Sequence, residues 1–284
     1  FSLNSFMKFY PGQLGIAGSL NSIIGSLDIL RNNKLGHETQ RFTAEWVFEE
    51  SIKVDVETYR RIIPGNIFQM NMHGISNQMK DMANLVHPKK ELREHARKRI
   101  LQCVEAAGEL DVRHLVFHQW YAPERIKGFT EKIWYAQADY WPEIAQEARK
   151  HGVIIVLEND HTPTPEHAMK LLDKISHENV QGHIDITHAQ FYSRSSPQEW
   201  IKVMGDRLHY LHINNGENAN SGHQPLNRGI VDYKKIFPLL EPVWNQIMVT
   251  LEIDAGDREG VKASLKVLKG LGLLPVEENM DNLL

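Results

Sequence analysis

The sequence predicts a single domain of the α/β class, folded as a closed (β/α)8 barrel, and two observations support this prediction. Short apolar runs alternate with amphipathic stretches along the chain, which is typical of a parallel sheet covered by helices. Six of these runs end at a histidine, aspartate or glutamate. Because the strands of a barrel deliver their carboxyl ends to one mouth, this repetition predicts a shared site there. An open doubly wound sheet is disfavoured, since no Gly-x-Gly-x-x-Gly follows the first strand.

The first half of the chain supplies four of the eight predicted strands. Apolar residues at helical spacing follow the first strand, and a short helix that closes at Pro64 follows the second. Pro88 opens a long amphipathic helix, and Gly108 is its predicted end. The four predicted strands are Gln13–Gly18, Arg41–Glu49, Phe68–His73 and His114–His118.

The second half repeats the pattern around five consecutive apolar residues that precede Glu158. Helix starts are indicated by Pro165, by the capping box from Ser196 to Glu199 and by Asp232. Two more helices are predicted over Asp139–His151 and Val261–Leu271, and the predicted strands are Val153–Leu157, Gly182–Thr187, Leu208–Asn214 and Ile247–Ile253. No linker divides the chain, so we expect one domain over residues 1–284, with a core over about 14–271 and a peripheral tail over 272–284.

Composition narrows the class of protein. The chain has 32 Lys and Arg against 36 Asp and Glu, which argues against an extended nucleic-acid surface. Cys103 is the sole cysteine, so an internal disulfide and a cysteine-based zinc site are both excluded. No apolar run reaches the roughly 18–20 residues that cross a membrane, and the stretch Leu14–Leu27 lacks the basic start of a signal peptide. We therefore expect a cytoplasmic protein without a membrane partner and leave a homo-oligomer open.

The ends of the fifth to eighth predicted strands carry the strongest chemical signal. They deliver Glu158, Asp185, His212 and Glu252. Three carboxylates and one imidazole suit a divalent ion such as Mn²⁺, Zn²⁺ or Mg²⁺. A single polar residue at a strand end is more often an ordinary loop residue without a specific function, but four on consecutive strands favour a metal site. We expect one bound ion.

Further histidines and one tryptophan are candidates around this site. His73 and His118 end neighbouring strands and, with Glu158, either hold a second metal or contact substrate. His188 follows Asp185 by three residues, so it lies past the strand end, where it can lean over the mouth as a substrate contact together with His223. Trp120 either stacks on a sugar ring or caps the barrel rim.

The remaining histidines are interpreted structurally. His37 is assigned to the surface, as are four others at helix or loop positions. His183 lies early in its strand and is assigned to packing or hydrogen bonding, as are His114 and His209.

With these residues in place, the chain resembles the xylose isomerase-like TIM-barrel superfamily. That superfamily comprises sugar phosphate isomerases and epimerases and the family 2 AP endonucleases. The resemblance covers roughly Leu14 to Leu271 and rests on VLEN with Glu158, HIDITH with Asp185 and His188, LHIN with His212, GHQPLNRGIVD with His223 and TLEID with Glu252. It implies a TIM barrel.

The two branches imply different uses of the same residues. In the epimerase branch the four ligands match the set above, Glu158 and Glu252 also act as acid and base, and His188 contacts substrate. In the endonuclease branch His73 and His118 bind a second metal, with Glu158 bridging. A third zinc there uses an Asp-x-His pair, which reads Ser221-Gly222-His223 in this chain. The missing aspartate counts against phosphodiester cleavage.

We therefore expect a metal-dependent isomerase or epimerase acting on a small sugar or sugar-derived hydroxycarbonyl. Proton transfer would proceed through a metal-stabilised enediolate. One alternative is a di-metal phosphoester hydrolase resembling type IV AP endonucleases. A second alternative is a non-catalytic sugar-binding barrel, which the pair of Glu158 and Glu252 disfavours because binding alone does not need both. The expected partner is a small sugar rather than nucleic acid.

Overall fold

The eight strands of the computed structural model form one closed parallel sheet. The structure describes residues 7–39, 56–61, 63, 70–73, 85–87, 89–119, 121–124, 127–253 and 255–275. Within these residues each strand pairs with the next along the chain, and β8 pairs with β1. The strands are β1 Leu14–Gly18, β2 Gly36–Thr39, β3 Met70–His73, β4 His114–His118, β5 Ile154–Glu158, β6 Val180–Asp185, β7 Leu208–Ile213 and β8 Met248–Leu251.

Helices follow the strands, as the alternating pattern predicts. The described α-helices are Leu20–Ile24, Leu27–Asn32, Lys90–Glu109, Glu131–Tyr135, Trp141–Lys150, Pro165–Ile175, Ile186–Phe191, Pro197–Met204, Tyr233–Ile236 and Arg258–Gly270, and residues 56–61 are also helical. Ser196 caps its helix as predicted, since its Oγ accepts from the Glu199 N–H at 3.2 Å. Most of the connection from β2 to β3 lies outside the described residues, so the complete (β/α)8 alternation remains a prediction there. No described helix is both long and apolar enough to span a membrane.

The second strand is the main correction to the sequence prediction. It is Gly36–Thr39, whereas the predicted strand Arg41–Glu49 lies outside the described residues. All four residues of β2 are buried although none is strongly apolar, which is why a search for apolar runs misses it. The surface assignment of His37 is wrong: the residue is fully buried, and burial lowers its pKa to about 4.

Side chains inside the barrel lie in layers, and this layering positions the site. Val116, Val156, Tyr210 and Met248 form a small apolar cluster separate from the main core. Residues two positions further along a strand point to the same face. The next layer toward the strand ends therefore holds His118, Glu158, His212 and Thr250. The larger core contains the buried side chains of Trp134, Trp200 and Phe237.

The loop after β7 depends on a glycine. Gly229 has φ +142°, and a Cβ there would lie 2.3 Å from the backbone nitrogen of Gly216. We predict that Gly229→Ala lowers the free energy of unfolding by about 1–3 kcal/mol, because it adds backbone strain. Gly270→Ala is the control, since its Cβ would meet nothing within 4 Å. Chemical denaturation should show a change within about 0.5 kcal/mol for the control; equal effects of the two variants would contradict the prediction.

Candidate metal centre

The ends of β5 to β8 bring the four predicted ligands together. One ligand atom from each of Glu158, Asp185, His212 and Glu252 lies within 4.8 Å of the others. Glu158 and Asp185 are the last residues of their strands, His212 is the penultimate residue of β7, and Glu252 directly follows β8. All four are buried. This set of three carboxylates and one imidazole fits a divalent ion.

Glu158 and Glu252 are held in their charged form by surrounding imidazoles. Burial is the largest influence on Glu158 and opposes ionisation, but His118, His183 and His212 outweigh it and hold its pKa well below the usual range. Burial likewise opposes ionisation of Glu252, and there His212 and His223 bring the pKa well down.

His212 is the imidazole that the carboxylates share. Its Nδ1 lies 3.0 Å from Glu252 Oε2 and 3.6 Å from Glu158 Oε1. Burial opposes its protonation, yet the facing carboxylates raise its pKa well above the usual value. The ring and the carboxylates that face it therefore stabilise each other's charged forms.

Asp185 is oriented by a set of hydrogen bonds around its carboxylate. Oδ1 accepts from Thr187 Oγ1 at 2.9 Å and from the His188 N–H at 2.7 Å, and Oδ2 accepts from Asn214 Nδ2 at 2.7 Å. Burial raises the pKa of Asp185. The sequence analysis did not single out Thr187, which lies two residues past the end of β6, or Asn214, which directly follows β7.

The histidines predicted at the mouth face the two glutamates. His188 lies in the helix after β6, and its Nδ1 is 3.2 Å from Glu158 Oε1, so the predicted position over the mouth is confirmed. His223 Nδ1 lies 3.3 Å from Glu252 Oε2, and this carboxylate is the main reason that the pKa of His223 is raised to about 9. Their roles toward a substrate remain predictions.

His118 connects Glu158 to a carboxylate that the sequence analysis missed. Its Nε2 lies 3.3 Å from Glu158 Oε2, and its Nδ1 lies 3.2 Å from Asp160 Oδ2. Asp160 also faces His161 Nε2 at 3.2 Å. Asp160 is two residues beyond the end of β5 and nearly buried, so it fixes the direction of the His118 ring.

The second metal site remains a prediction. The side chain of His73 and the whole of Trp120 lie outside the described residues. Among the residues that the structure describes, two groups have ligand atoms close enough to share an ion, and neither includes His118. The second group is Glu158, His183 and His212, so His183 is both a packing residue and a neighbour of the ligands. Its Nδ1 is 3.9 Å from Glu158 Oε2.

Comparison with known families fits this geometry. The sequence model of the xylose isomerase-like TIM barrel family matches residues 40–271. The chain belongs to this family. The match confirms the resemblance on which the sequence interpretation relied and covers the predicted ligands of this xylose isomerase-like barrel.

The chain is similar in sequence to a curated relative and in fold to several solved structures. An uncharacterized protein of Methanocaldococcus jannaschii is 24% identical over 191 residues, which are 63% of this chain and 64% of that protein. The chain thus spans somewhat less than two thirds of that curated relative. The TTHB071 protein of Thermus thermophilus, from a crystal soaked with ZnCl₂, has a TM-score of 0.71 at 24% identity and covers 91% of this chain and 97% of its own.

Named sugar epimerases share the same fold. A D-psicose 3-epimerase from Clostridium cellulolyticum H10, solved with D-tagatose, has a TM-score of 0.69 at 17% identity. The overlap covers 92% of this xylose isomerase-like barrel and 98% of the epimerase chain. At this identity the likeness is one of fold.

Metal binding should release protons. Because the pKa of His212 is raised above the usual value, the ring is charged at pH 7, and its Nδ1 must lose a proton before it can bind an ion. We predict release of about one proton or more per ion at pH 7, with affinity that strengthens as pH rises. Calorimetric titration with Mn²⁺ or Zn²⁺ in two buffers of different ionisation enthalpy measures the number. Proton uptake, or tighter binding at lower pH, would contradict this account.

Proposed function

We propose that the chain is a metal-dependent sugar isomerase or epimerase, built as one complete (β/α)8 domain with its core over about residues 14–271. The supporting observation is the convergence of Glu158 and Glu252, from β5 and β8, on one point with Asp185 and His212. A binding protein would need a metal site but not two buried glutamates held in their charged form. The fold shared with sugar 3-epimerases is consistent with this proposal.

The two glutamates provide the proton chemistry. A bound divalent ion would supply Lewis-acid polarisation of a carbonyl and an adjacent hydroxyl oxygen of the sugar. One glutamate, as a carboxylate, then removes the proton from the carbon next to the carbonyl. The other first takes a proton from the charged histidine beside it, His188 for Glu158 or His223 for Glu252, and returns that proton from the opposite face. Glu158 and Glu252 are suited to the role of base because their charged forms are favoured.

His188 and His223 are placed to donate hydrogen bonds to the sugar oxygens. His188 and His223 lie against Glu158 and Glu252, respectively, with ring centroids 5.9 Å apart. Both rings are N–H donors in their charged form, so each is suited to hold a hydroxyl or carbonyl oxygen beside the glutamate it contacts. His118 contacts Glu158 from the other side with one ring nitrogen and Asp160 with the other, so it would affect the sugar by fixing the orientation of Glu158.

Isotope exchange tests the proposed reaction. In D₂O, the metal-loaded protein should catalyse exchange of deuterium into a ketose at the carbon next to the carbonyl. The exchange is measured by ¹H NMR over a panel of sugars that includes D-tagatose and D-psicose. Glu252→Gln should fold normally and lose exchange, because it removes one of the two proton carriers. Chelator-treated wild type is the control for metal dependence. Exchange that survives unchanged in Glu252→Gln would exclude the assigned role.

A second candidate function, phosphoester hydrolysis, is favoured by the surroundings of Glu158. Its Oε1 faces His188 and His212, whereas Oε2 faces His118 at 3.3 Å. A carboxylate with imidazoles beside both oxygens is suited to bridge two ions, as a two-metal hydrolase requires. The missing aspartate before His223 in the Ser221-Gly222-His223 sequence counts against this reading.

Metal stoichiometry separates the two functions. We predict that one tightly bound ion per chain gives full activity and that His118→Ala keeps this ion but raises KM for the sugar. The reason is that His118 lies outside the group of four close ligands. Metal analysis and kinetics at matched occupancy provide the measurement. Activity that rises only with a second ion and disappears with it in His118→Ala, together with cleavage of an abasic DNA strand, would favour the hydrolase.

A further inference from the structure

A fifth carboxyl group, Glu38 of β2, lies directly behind His212. Glu38 Oε2 is 2.9 Å and Oε1 is 3.1 Å from His212 Nε2. Both side chains are fully buried. Glu38 lies outside the group of four close ligands, so it contacts the site through the ring of His212 rather than as a member of that group.

This contact determines which nitrogen of His212 carries a fixed hydrogen. A carboxylate accepts hydrogen bonds and cannot donate one, so the Nε2 facing Glu38 must be the donor. Nδ1 is the nitrogen that faces Glu252 and Glu158. When an ion replaces the proton on Nδ1, the hydrogen on Nε2 stays in its bond to Glu38.

Glu38 is itself held in place by Tyr210, on the side away from the strand ends. Tyr210 lies two residues before His212 on the same strand face, and its hydroxyl donates to Glu38 Oε2 at 2.5 Å. The same hydroxyl lies 2.6 Å from Thr250 Oγ1, and Thr250 pairs with His212 between β7 and β8. The Tyr210 hydroxyl thus joins Glu38 of β2 to Thr250 of β8.

We propose that Glu38 is a positioning residue that locks His212 in the tautomer with Nε2–H and directs Nδ1 toward the ion. This inference rests on the metal site of the proposed function. Carboxylates placed behind a metal-binding histidine fix the ring and increase its basicity, and their loss typically lowers metal affinity by about 10–100-fold. A purely structural role for a buried ion pair would instead affect stability and leave metal affinity unchanged.

The test uses zinc as the probe. Glu38→Gln keeps the size of the side chain but removes its charge, and its amide can turn an N–H toward Nε2 and reverse the tautomer. We expect the zinc dissociation constant, measured by competition with a chromophoric chelator, to rise by about 10–100-fold. Glu38→Asp should recover part of the loss because it restores a carboxylate.

Two controls separate this effect from general damage to the barrel. Tyr210→Phe removes a hydrogen bond to Glu38 but keeps both contacts of Glu38 with His212, so it should lose less affinity than Glu38→Gln. Glu178→Gln makes the same chemical change at an exposed ion pair with Arg149 and should bind zinc as the wild type does. Circular dichroism and thermal unfolding of all variants show whether each one folds.

A measurement on the wild type keeps the inference testable even if Glu38→Gln does not fold. In the zinc-loaded protein with ¹⁵N-labelled histidine, the NMR spectrum should show His212 with a protonated Nε2 and a zinc-shifted Nδ1. An unprotonated Nε2, or a Glu38→Gln dissociation constant within about threefold of wild type, would overturn the role of Glu38 while leaving the site intact. Zinc binding and the tautomer can both be as expected when no sugar reacts, and that result would reject the proposed function alone. A wild type that binds no zinc would reject both.

Discussion

The structure around the mouth depends on balancing three buried carboxylates that share one small volume. Glu158, Asp185 and Glu252 have ligand atoms within 4.8 Å of one another and of His212. Buried like charges at this separation repel strongly unless cations face them. Here imidazoles supply the positive charge for the two glutamates, while the pKa of Asp185 is raised. The charged histidines and the two glutamates therefore stabilise each other, and the donor set as a whole suits a divalent cation.

The positions of the four predicted ligands could be found because each lies within two residues of the end of a predicted strand. Strands β4 to β8 are mostly buried, and their boundaries differ from the prediction by at most two residues. Asp185 and His212 also pair across β6 and β7, which brings them together as the strand order predicts.

Glu38 and Asp160 could not be found in this way. Glu38 sits in a four-residue strand, Gly36–Thr39, whose side chains are small or polar. Glu38 faces the barrel interior, whereas His37 and Thr39 point to the other face and contact Tyr59. Burial in this interior depends on partners from other strands, here Tyr210 and His212, which lie more than 170 positions away. Asp160 becomes informative only once its contact with His118 is known. Local pattern predicts the strands and their ends, but the hydrogen bonds behind them are tertiary.

The hydrogen bonds of Asp185 place a final constraint on the centre. Asp185 Oδ1 accepts from the His188 N–H and lies 2.9 Å from Thr187 Oγ1, whose single hydrogen is shared with Asn214 Oδ1 at 2.6 Å. Oδ2 accepts one hydrogen bond, from Asn214. Both oxygens of Asp185 are therefore held by neighbouring donors. His212 has the same character, since Glu38 occupies its Nε2. Two of the four predicted ligands are thus held from behind by neighbouring side chains, Asp185 by Thr187 and Asn214 and His212 by Glu38, so their orientation is set before an ion binds.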